Sequence, residues 1–250
     1  MPNTCLISFA GDERHGYILG SRMPRTGPAF SEYLDIGYNH VSTTWNDEIS
    51  HAHKSSEEYF IILQGQVNML VENRCYPVQP GQLIGIRRGV AHRINGGMPP
   101  VQNFLIRVPG GGQDKILIPE GNPNQPVSVP HQEPILLDLH QRFTEYPLGG
   151  CLPKSHPNYS PLLDFTCVWG VDPVEEWANE QSHFHTVREE YYIVLKGRLD
   201  FEIDSSVVSV SAGEILGVKP PTVHRVIGGE GPVDLLFVRV PGGRGDKTVI

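Results

Sequence analysis

The sequence predicts an all-β protein built as two tandem antiparallel barrels or sandwiches, and three observations lead there. Aromatic and β-branched runs of strand length recur, as in YFIIL at 59–63 and YYIVL at 191–195, while helical periodicity is scarce. Turn signals follow one another at intervals of roughly eight to twelve residues, the cadence of a barrel or sandwich. Finally, one long pattern occurs twice at a constant separation of 132 positions, as from His51 to His183.

The repeat extends through most of each half. Trp45 matches Trp177, Ser50 matches Ser182, Tyr59 matches Tyr191, and Leu63 with Gly65 matches Leu195 with Gly197. Gly81 and Gly85 match Gly213 and Gly217, and His92-Arg93 matches His224-Arg225. The segment RVPGG at 107–111 recurs at 239–243, and Asp114-Lys115 recurs as Asp246-Lys247. A period this long marks duplication of a whole domain, since solenoid repeats run only about 20–50 residues. The predicted domains are 1–118 and 135–250, each long enough to bury its own core. A Pro-, Asn- and Gln-rich linker at 119–134 joins them.

The elements of the first repeat can be read in order. His51-x-His53 forms a short strand, a turn covers 54–57, and Glu58 opens the apolar strand ending at Leu63. Gln64-Gly65 reads as a turn, followed by a strand at 67–71 that Glu72-Asn73 closes. The second repeat follows the same course, with turns at Lys196-Gly197 and Asp204-Ser205. Residues 135–143 read as one short helix.

Two sets of four side chains stand out as metal ligands: His51, His53, Glu58 and His92, then His183, His185, Glu190 and His224. Imidazoles with one carboxylate suit Fe, Mn, Ni, Zn or Co. Three neutral ligands and one anion leave a divalent site with net positive charge, which favours an anionic ligand or substrate. Strand alternation places His51 and His53 on one face and selects Glu58 and Glu190 as ligands. By the same parity their neighbours Glu57 and Glu189 point away and read as solvated charges. His92 and His224 come from distant strands that only a closed barrel brings near.

Other residues carry weaker signals. Phe60 in the first repeat becomes Tyr192 in the second, on the inward face, where a phenol suits acid/base work or simply a satisfied buried hydroxyl. Trp45 and Trp177 read as core or rim packing before substrate platforms. Arg87, Arg88 and Lys219 read as solvated loop charges, and Arg107 and Arg239, inside apolar strands, as partners of acids. His15, His40, His131, His140 and His156 have no repeat partner and read as surface or loop residues.

Composition narrows the partners. The net charge of −8 and the lack of a dense basic tract argue against nucleic acid. Cys5, Cys75, Cys151 and Cys167 are neither paired as Cys-x-x-Cys nor duplicated, so no disulfide framework is indicated. Cys167 reads as a small buried residue. No basic-then-apolar leader opens the chain, and no stretch approaches the ~20 apolar residues of a membrane span. The expectation is a soluble cytoplasmic protein, monomer or homo-oligomer, with a small-molecule substrate and no organic cofactor.

These residues resemble the two motifs of the cupin superfamily. The family's first motif, Gly-x5-His-x-His-x(3,4)-Glu-x6-Gly, is met by His51-x-His53-x4-Glu58-x6-Gly65 and by His183-x-His185-x4-Glu190-x6-Gly197, with Trp45 and Trp177 at the leading Gly. The second, Gly-x5-Pro-x-Gly-x2-His, is met by Gly81-x5-Arg87-x-Gly89-x2-His92 without its Pro, and by Gly213-x5-Lys219-x-Pro221-x2-His224 without Pro or Gly. The resemblance implies two double-stranded β-helix (jelly-roll) barrels, a bicupin, each holding one metal by three His and one Glu. It further implies a metal-dependent enzyme acting on a small oxygen-rich or anionic molecule. A quercetinase-like dioxygenase, an oxidoreductase, leads the possibilities. A non-redox isomerase, decarboxylase or lyase is the alternative, and a non-enzymatic binding or regulatory bicupin is the rival from another class.

Overall fold

A computed structural model describes residues 3–9, 15–45, 48–118 and 132–250. The regular structure among the described residues is nearly all strand: β1(Thr4–Ser8), β2(His15–Gly20), β3(Asp35–Val41), β4(His51–His53), β5(Glu57–Val71), β6(Arg74–Val78), β7(Gln82–Ile86), β8(His92–Val108), β9(Lys115–Leu117), β10(Ile135–Asp138), β11(Leu148–Gly149), β12(Asp164–Val171), β13(His183–His185), β14(Glu189–Ile203), β15(Ser206–Ser211), β16(Glu214–Val218), β17(His224–Val240) and β18(Lys247–Val249). The one helix among the described residues, α1(Pro173–Glu176), precedes β13. Its start is set by Pro173 in the first turn and by Asp172, whose side chain accepts hydrogen bonds from the Val174 and Glu175 amides. No helix among the described residues is long and apolar enough to cross a membrane.

The strands form two antiparallel sheets with the same plan, as expected for two jelly-roll barrels. In the first barrel the order is β10-β7-β5-β8-β3-β2, with β6 on β5 and β4 between β8 and β9. In the second it is β1-β16-β14-β17-β12-β11, with β15 on β14 and β13 between β17 and β18. The long strands β5 and β14 work as spines, since each pairs with three neighbours along its length. Inward residues at alternate positions of β5, among them Phe60, Ile62, Val67, Met69 and Val71, meet Ile84, Ile86 and Ile94 in one core. Burying each such side chain contributes roughly 1.5–3 kcal/mol, which is what holds the register of the sheet.

Three sequence expectations change here. The turns expected at Gln64-Gly65 and Lys196-Gly197 are bulges within continuous strands: register shifts flank Gln64 and Lys196, and the ladder then resumes. Gly65 has φ +72, and a Cβ there would fall on the Met98 and Pro100 carbonyls, so the Gly signal marked a bend and not a strand end. True reversals lie at Glu72 and at Asp204-Ser205, all with positive φ. The helix expected at 135–143 is instead β10, because Ile135–Asp138 pairs with β7 and tertiary pairing overrides a weak local pattern.

The third change concerns the domain boundaries of 1–118 and 135–250. The compact units are residues 11–140, and residues 1–10 together with 141–250. Each barrel has recruited a strand from the other half of the sequence: β1 completes the second sheet on β16, and β10 completes the first on β7. A repeat comparison does not reveal this, because edge strands are defined by the partner they cover. The linker at 119–134 falls, through residue 131, outside the described residues, as does His131.

Candidate metal centres

The jelly-roll path brings each quartet together. In the first barrel β4 supplies His51 and His53, β5 supplies Glu58, and β8 supplies His92, directly opposite His51 in the ladder. The four ligand atoms lie within 4.8 Å of one another, and all four residues are buried. In the second barrel His183, His185 and Glu190 meet the same limit, and His224 Nε2 lies 2.8 Å from Glu190 Oε2.

Hydrogen bonding at the far side of each ring decides which nitrogen faces the centre. His51 Nδ1 lies 3.0 Å from the Ile49 carbonyl, His92 Nδ1 3.0 Å from the Val90 carbonyl, and His53 Nδ1 2.9 Å from Asp114 Oδ1. A carbonyl, like the ionised Asp114 carboxylate, can only accept, so those Nδ1 atoms carry the proton and the neutral ring turns its Nε2 lone pair inward. His183 Nδ1 and His224 Nδ1 make the same bonds to the Gln181 and Thr222 carbonyls. His185 Nδ1 lies 3.4 Å from Asp246 Oδ2.

In one ring of each barrel the inward nitrogen is not satisfied by protein. His53 Nε2 and His185 Nε2 are buried with no hydrogen-bond partner, although Glu58 Oε1 and Glu190 Oε1 each lie 3.1 Å away. His92 Nε2 is 3.0 Å from Glu58 Oε2, so a neutral imidazole and an ionised carboxylate would face each other lone pair to lone pair. That contact is repulsive unless a cation or a proton lies between them. The donor set and its orphaned atoms therefore fit one divalent metal per barrel, with outer hydrogen bonds fixing five of the six rings, all but His185, as in known histidine metal sites.

Charge follows the same logic. Burial opposes ionisation of Glu58 and Glu190, but the surrounding imidazoles hold both carboxyls well below the usual range. Burial disfavours charge on His53 and His224, yet the adjacent carboxylates hold both above the ordinary imidazole value. Burial takes His183 the other way, down to about 4. In metal-free protein a proton thus competes with metal at His53 and His224. The sign is fixed: a raised imidazole pKa keeps the metal-excluding form present to higher pH, so affinity falls as pH falls. Apparent metal affinity is expected to fall as pH falls, approaching about tenfold per pH unit for each proton displaced once the pH is below the raised imidazole pKa, measured by competition with a chromophoric chelator at pH 6, 7 and 8.

A cavity opens on each quartet. The first, about 230 Å³, is lined by His51, His53 and Glu58 together with Tyr17, Arg22, Arg107, Lys115 and Glu48. The second, about 300 Å³, is lined by His183, Glu190 and Tyr192 with Tyr146, Arg239, Lys247, Glu176 and Glu180. Three cationic side chains and two carboxylates line the first; two cationic side chains and three carboxylates line the second. The first is thus the more electropositive before any metal is counted.

The weaker sequence signals resolve individually. Arg107 and Arg239 pair with buried acids, Asp35 and Asp164, as expected, and also line the cavities. Trp45 and Trp177 both pack on the core and line a cavity. Tyr192 is buried, and its hydroxyl donates to Glu190 Oε2 at 3.0 Å, which commits the phenol to a ligand carboxylate. Burial and the Glu190 charge raise its pKa well above the ordinary value. Cys167 is buried on the wall of the second cavity, where burial pushes its thiol up to about 11. Of the unmatched histidines, His140 and His156 are exposed and His40 is half-buried in β3.

Glu57 and Glu189 depart from expectation. They do point away from the metal, but they are buried, not solvated: each accepts a hydrogen bond of 2.5 Å from a tyrosine, Tyr59 or Tyr191. Arg87 is likewise no solvated loop charge, since its Nη1 lies 3.1 Å from Glu57 Oε1. Parity identified the side each acid takes but not the partners that bury it there.

Two sets of site residues escaped the sequence reading. Glu48 and Glu180 keep the separation of 132 and each accepts from a strand amide, of Ile94 and Val226 respectively, so the repeat could have revealed them. Tyr17 with Tyr146, and Asp35 with Asp164, repeat instead at a separation of 129. The offset changes because eight residues lie between Val168 and Trp177, among them α1, where five lie between Asn39 and Trp45.

Comparison with known proteins agrees with this architecture. The Cupin domain model matches residues 43–102 and 173–239, and the chain belongs to the cupin family. No curated sequence matches it. Among solved structures, protein Ylba from E. coli is similar over 96% of this chain and 91% of its own, at 13% identity and a TM-score of 0.59. The bacterial pirin YhhW from Escherichia coli, in complex with nickel(II), is similar over 95% and 99%, at 14% identity and a TM-score of 0.56. Oxalate decarboxylase from Bacillus subtilis is similar over 98% and 78%, at 14% identity and a TM-score of 0.54. At these identities the likeness is one of fold.

Proposed function

We propose that the chain is a metal-dependent enzyme acting on a small carboxylate-bearing molecule, with the cavity of the first barrel as its active site. The observation that carries this reading is the cationic wall beside His51, His53 and Glu58. The Arg22 and Arg107 guanidinium groups converge beside Gly112, and Lys115 completes the wall. Arg107 is 2% exposed and its Nε has no hydrogen-bond partner, whereas the matching Arg239 Nε donates to Asp164. A buried guanidinium N–H left over at a cavity suits an anionic oxygen.

A bound divalent metal supplies Lewis-acid activation of substrate oxygens there, or dioxygen chemistry if it is iron. The protein's own groups do the rest. Asp35 fixes Arg107, while Arg22 stacks on Tyr17 at 4.5 Å, and together they orient the carboxylate. Burial, with the Glu58 charge, pushes the Tyr17 phenol up to about 12, so it remains a hydrogen-bond donor at neutral pH. Glu48, with Lys115 Nζ 3.9 Å away, is placed to exchange a proton with a bound substrate. Nickel(II) in the E. coli pirin and Mn(II) in the B. subtilis decarboxylase show that this fold accepts more than one metal.

Calorimetric titration of manganese-loaded protein with malonate tests the reading. Binding is expected at the first site, and Arg22→Ala is expected to weaken it by about tenfold, the loss of one charge-assisted contact. Malonate binding that Arg22→Ala leaves unchanged contradicts it. Turnover with oxygen uptake by the iron form would place the reaction among the dioxygenases; turnover without it would place it among the decarboxylases, lyases or isomerases.

A further inference from the structure

The inward faces of the two barrels can be compared rung by rung, because directly opposed residues of antiparallel strands share a face. In the first barrel three successive rungs read Glu58–Arg107–Asp35, Phe60–Leu105–Gly37 and Ile62–Asn103–Asn39. In the second they read Glu190–Arg239–Asp164, Tyr192–Phe237–Thr166 and Val194–Leu235–Val168. The rung at the metal is identical. The third rung is not: two asparagines stand where the second barrel has leucine and valine.

Asn103 is 0% exposed, and neither its Oδ1 nor its Nδ2 has a hydrogen-bond partner in the protein. An unpaired buried amide is destabilising, and the second barrel shows that an aliphatic residue fits the same place. Asn39 lies opposite Asn103 in the ladder and lines the first cavity with Phe60, Leu105 and Gly37. Gly37 has no side chain to block the way from the metal end to this rung. In the second barrel Thr166 and Phe237 occupy the matching positions.

We propose that Asn39, on the wall of the first cavity, and Asn103, buried beside it in the ladder, form a polar subsite there. It takes the distal group of a substrate whose carboxylate lies at the Arg22–Arg107 end. A carboxamide offers one acceptor and two donors, so its best complement both donates and accepts, the primary amide being the smallest planar case. The second cavity, lined by Val168 and Leu235 at the matching positions, offers no amide there. The subsite rests on the carboxylate reading above.

Succinamate and 4-methylpentanoate share a carboxylate and differ at the far end, a primary amide against an isopropyl group of similar shape. Both are titrated into the manganese-loaded full chain and into Asn103→Leu and Asn39→Val, which install the residues of the second barrel. The native protein is expected to prefer succinamate by at least tenfold. Both variants are expected to lose that preference while keeping two metals per chain. Asn103→Leu is expected to melt no lower than the native protein; should it fold poorly, Asn39→Val on the cavity wall gives the same readout. Equal binding of the two compounds to native protein overturns the subsite but leaves the carboxylate reading standing. Binding of neither overturns both. A preference that survives in the variants, or a crystal structure with an ordered water alone on Asn103 while succinamate is bound, also overturns the subsite.

Discussion

Replacing Glu58 with alanine is expected to reduce the metal content of the chain from two ions to one, and Glu190→Ala to do the same at the other site. Each glutamate is the sole anion in its quartet and lies within 4.0 Å of all three imidazole Nε2 atoms. Substitutions of residues that merely orient a metal ligand cost about 10–100-fold in affinity, so losing the charged ligand itself should exceed that range. The consequences for activity are expected to be unequal: Glu58→Ala abolishes turnover, while Glu190→Ala leaves most of it. Metal counting by plasma mass spectrometry with a parallel activity assay reads both effects. Loss of activity only with Glu190→Ala would move the active site to the second barrel.

The second large effect concerns stability. Arg107→Met leaves Asp35, which is 0% exposed, without its cation; only the Ser21 amide and hydroxyl, at 2.7 and 2.6 Å, still donate to it. Breaking a buried ion pair on one side costs about 3–5 kcal/mol. For a unit of this size that corresponds to a fall in Tm of roughly 10 °C or more. Thermal unfolding of metal-free protein should therefore show the transition of the first barrel moving down while that of the second stays. Adding Asp35→Leu should recover much of the loss, because the penalty lies in the stranded charge and not in the missing attraction. An unchanged transition in Arg107→Met would show that the Arg107–Asp35 pair does not carry this stability.

Much of the metal site was legible in the sequence because two simple rules act on it. Strand alternation determines which of two adjacent acids turns inward, and the structure turns Glu58 and Glu190 to the histidines as that rule requires. Duplication then doubles the evidence for every ligand. What was hidden depends on long-range pairing. β1 and β10 belong to sheets set by their partners, and nothing local announces that Ile135–Asp138 crosses to β7. The burial of Glu57 and Glu189 is hidden for the same reason, since it depends on what packs over the outer face. Tyr17 and Asp35 were missed because a single fixed offset cannot follow a repeat that gains three residues around α1. The asymmetry between Asn103 and Leu235 was visible as letters, but its meaning needed the ladder register and the absence of partners for the amide.

The claim on which the account depends is that both quartets hold metal and that only the first presents it to a carboxylate. Crystals grown with manganese and malonate, measured near the metal absorption edge, test this most directly. The account predicts two anomalous peaks per chain, one among His51, His53, Glu58 and His92 and one among His183, His185, Glu190 and His224. It further predicts malonate beside Arg22 and Arg107 in the first cavity alone. No peak in either quartet, or malonate seated in the second cavity with the first left without it, would contradict the account.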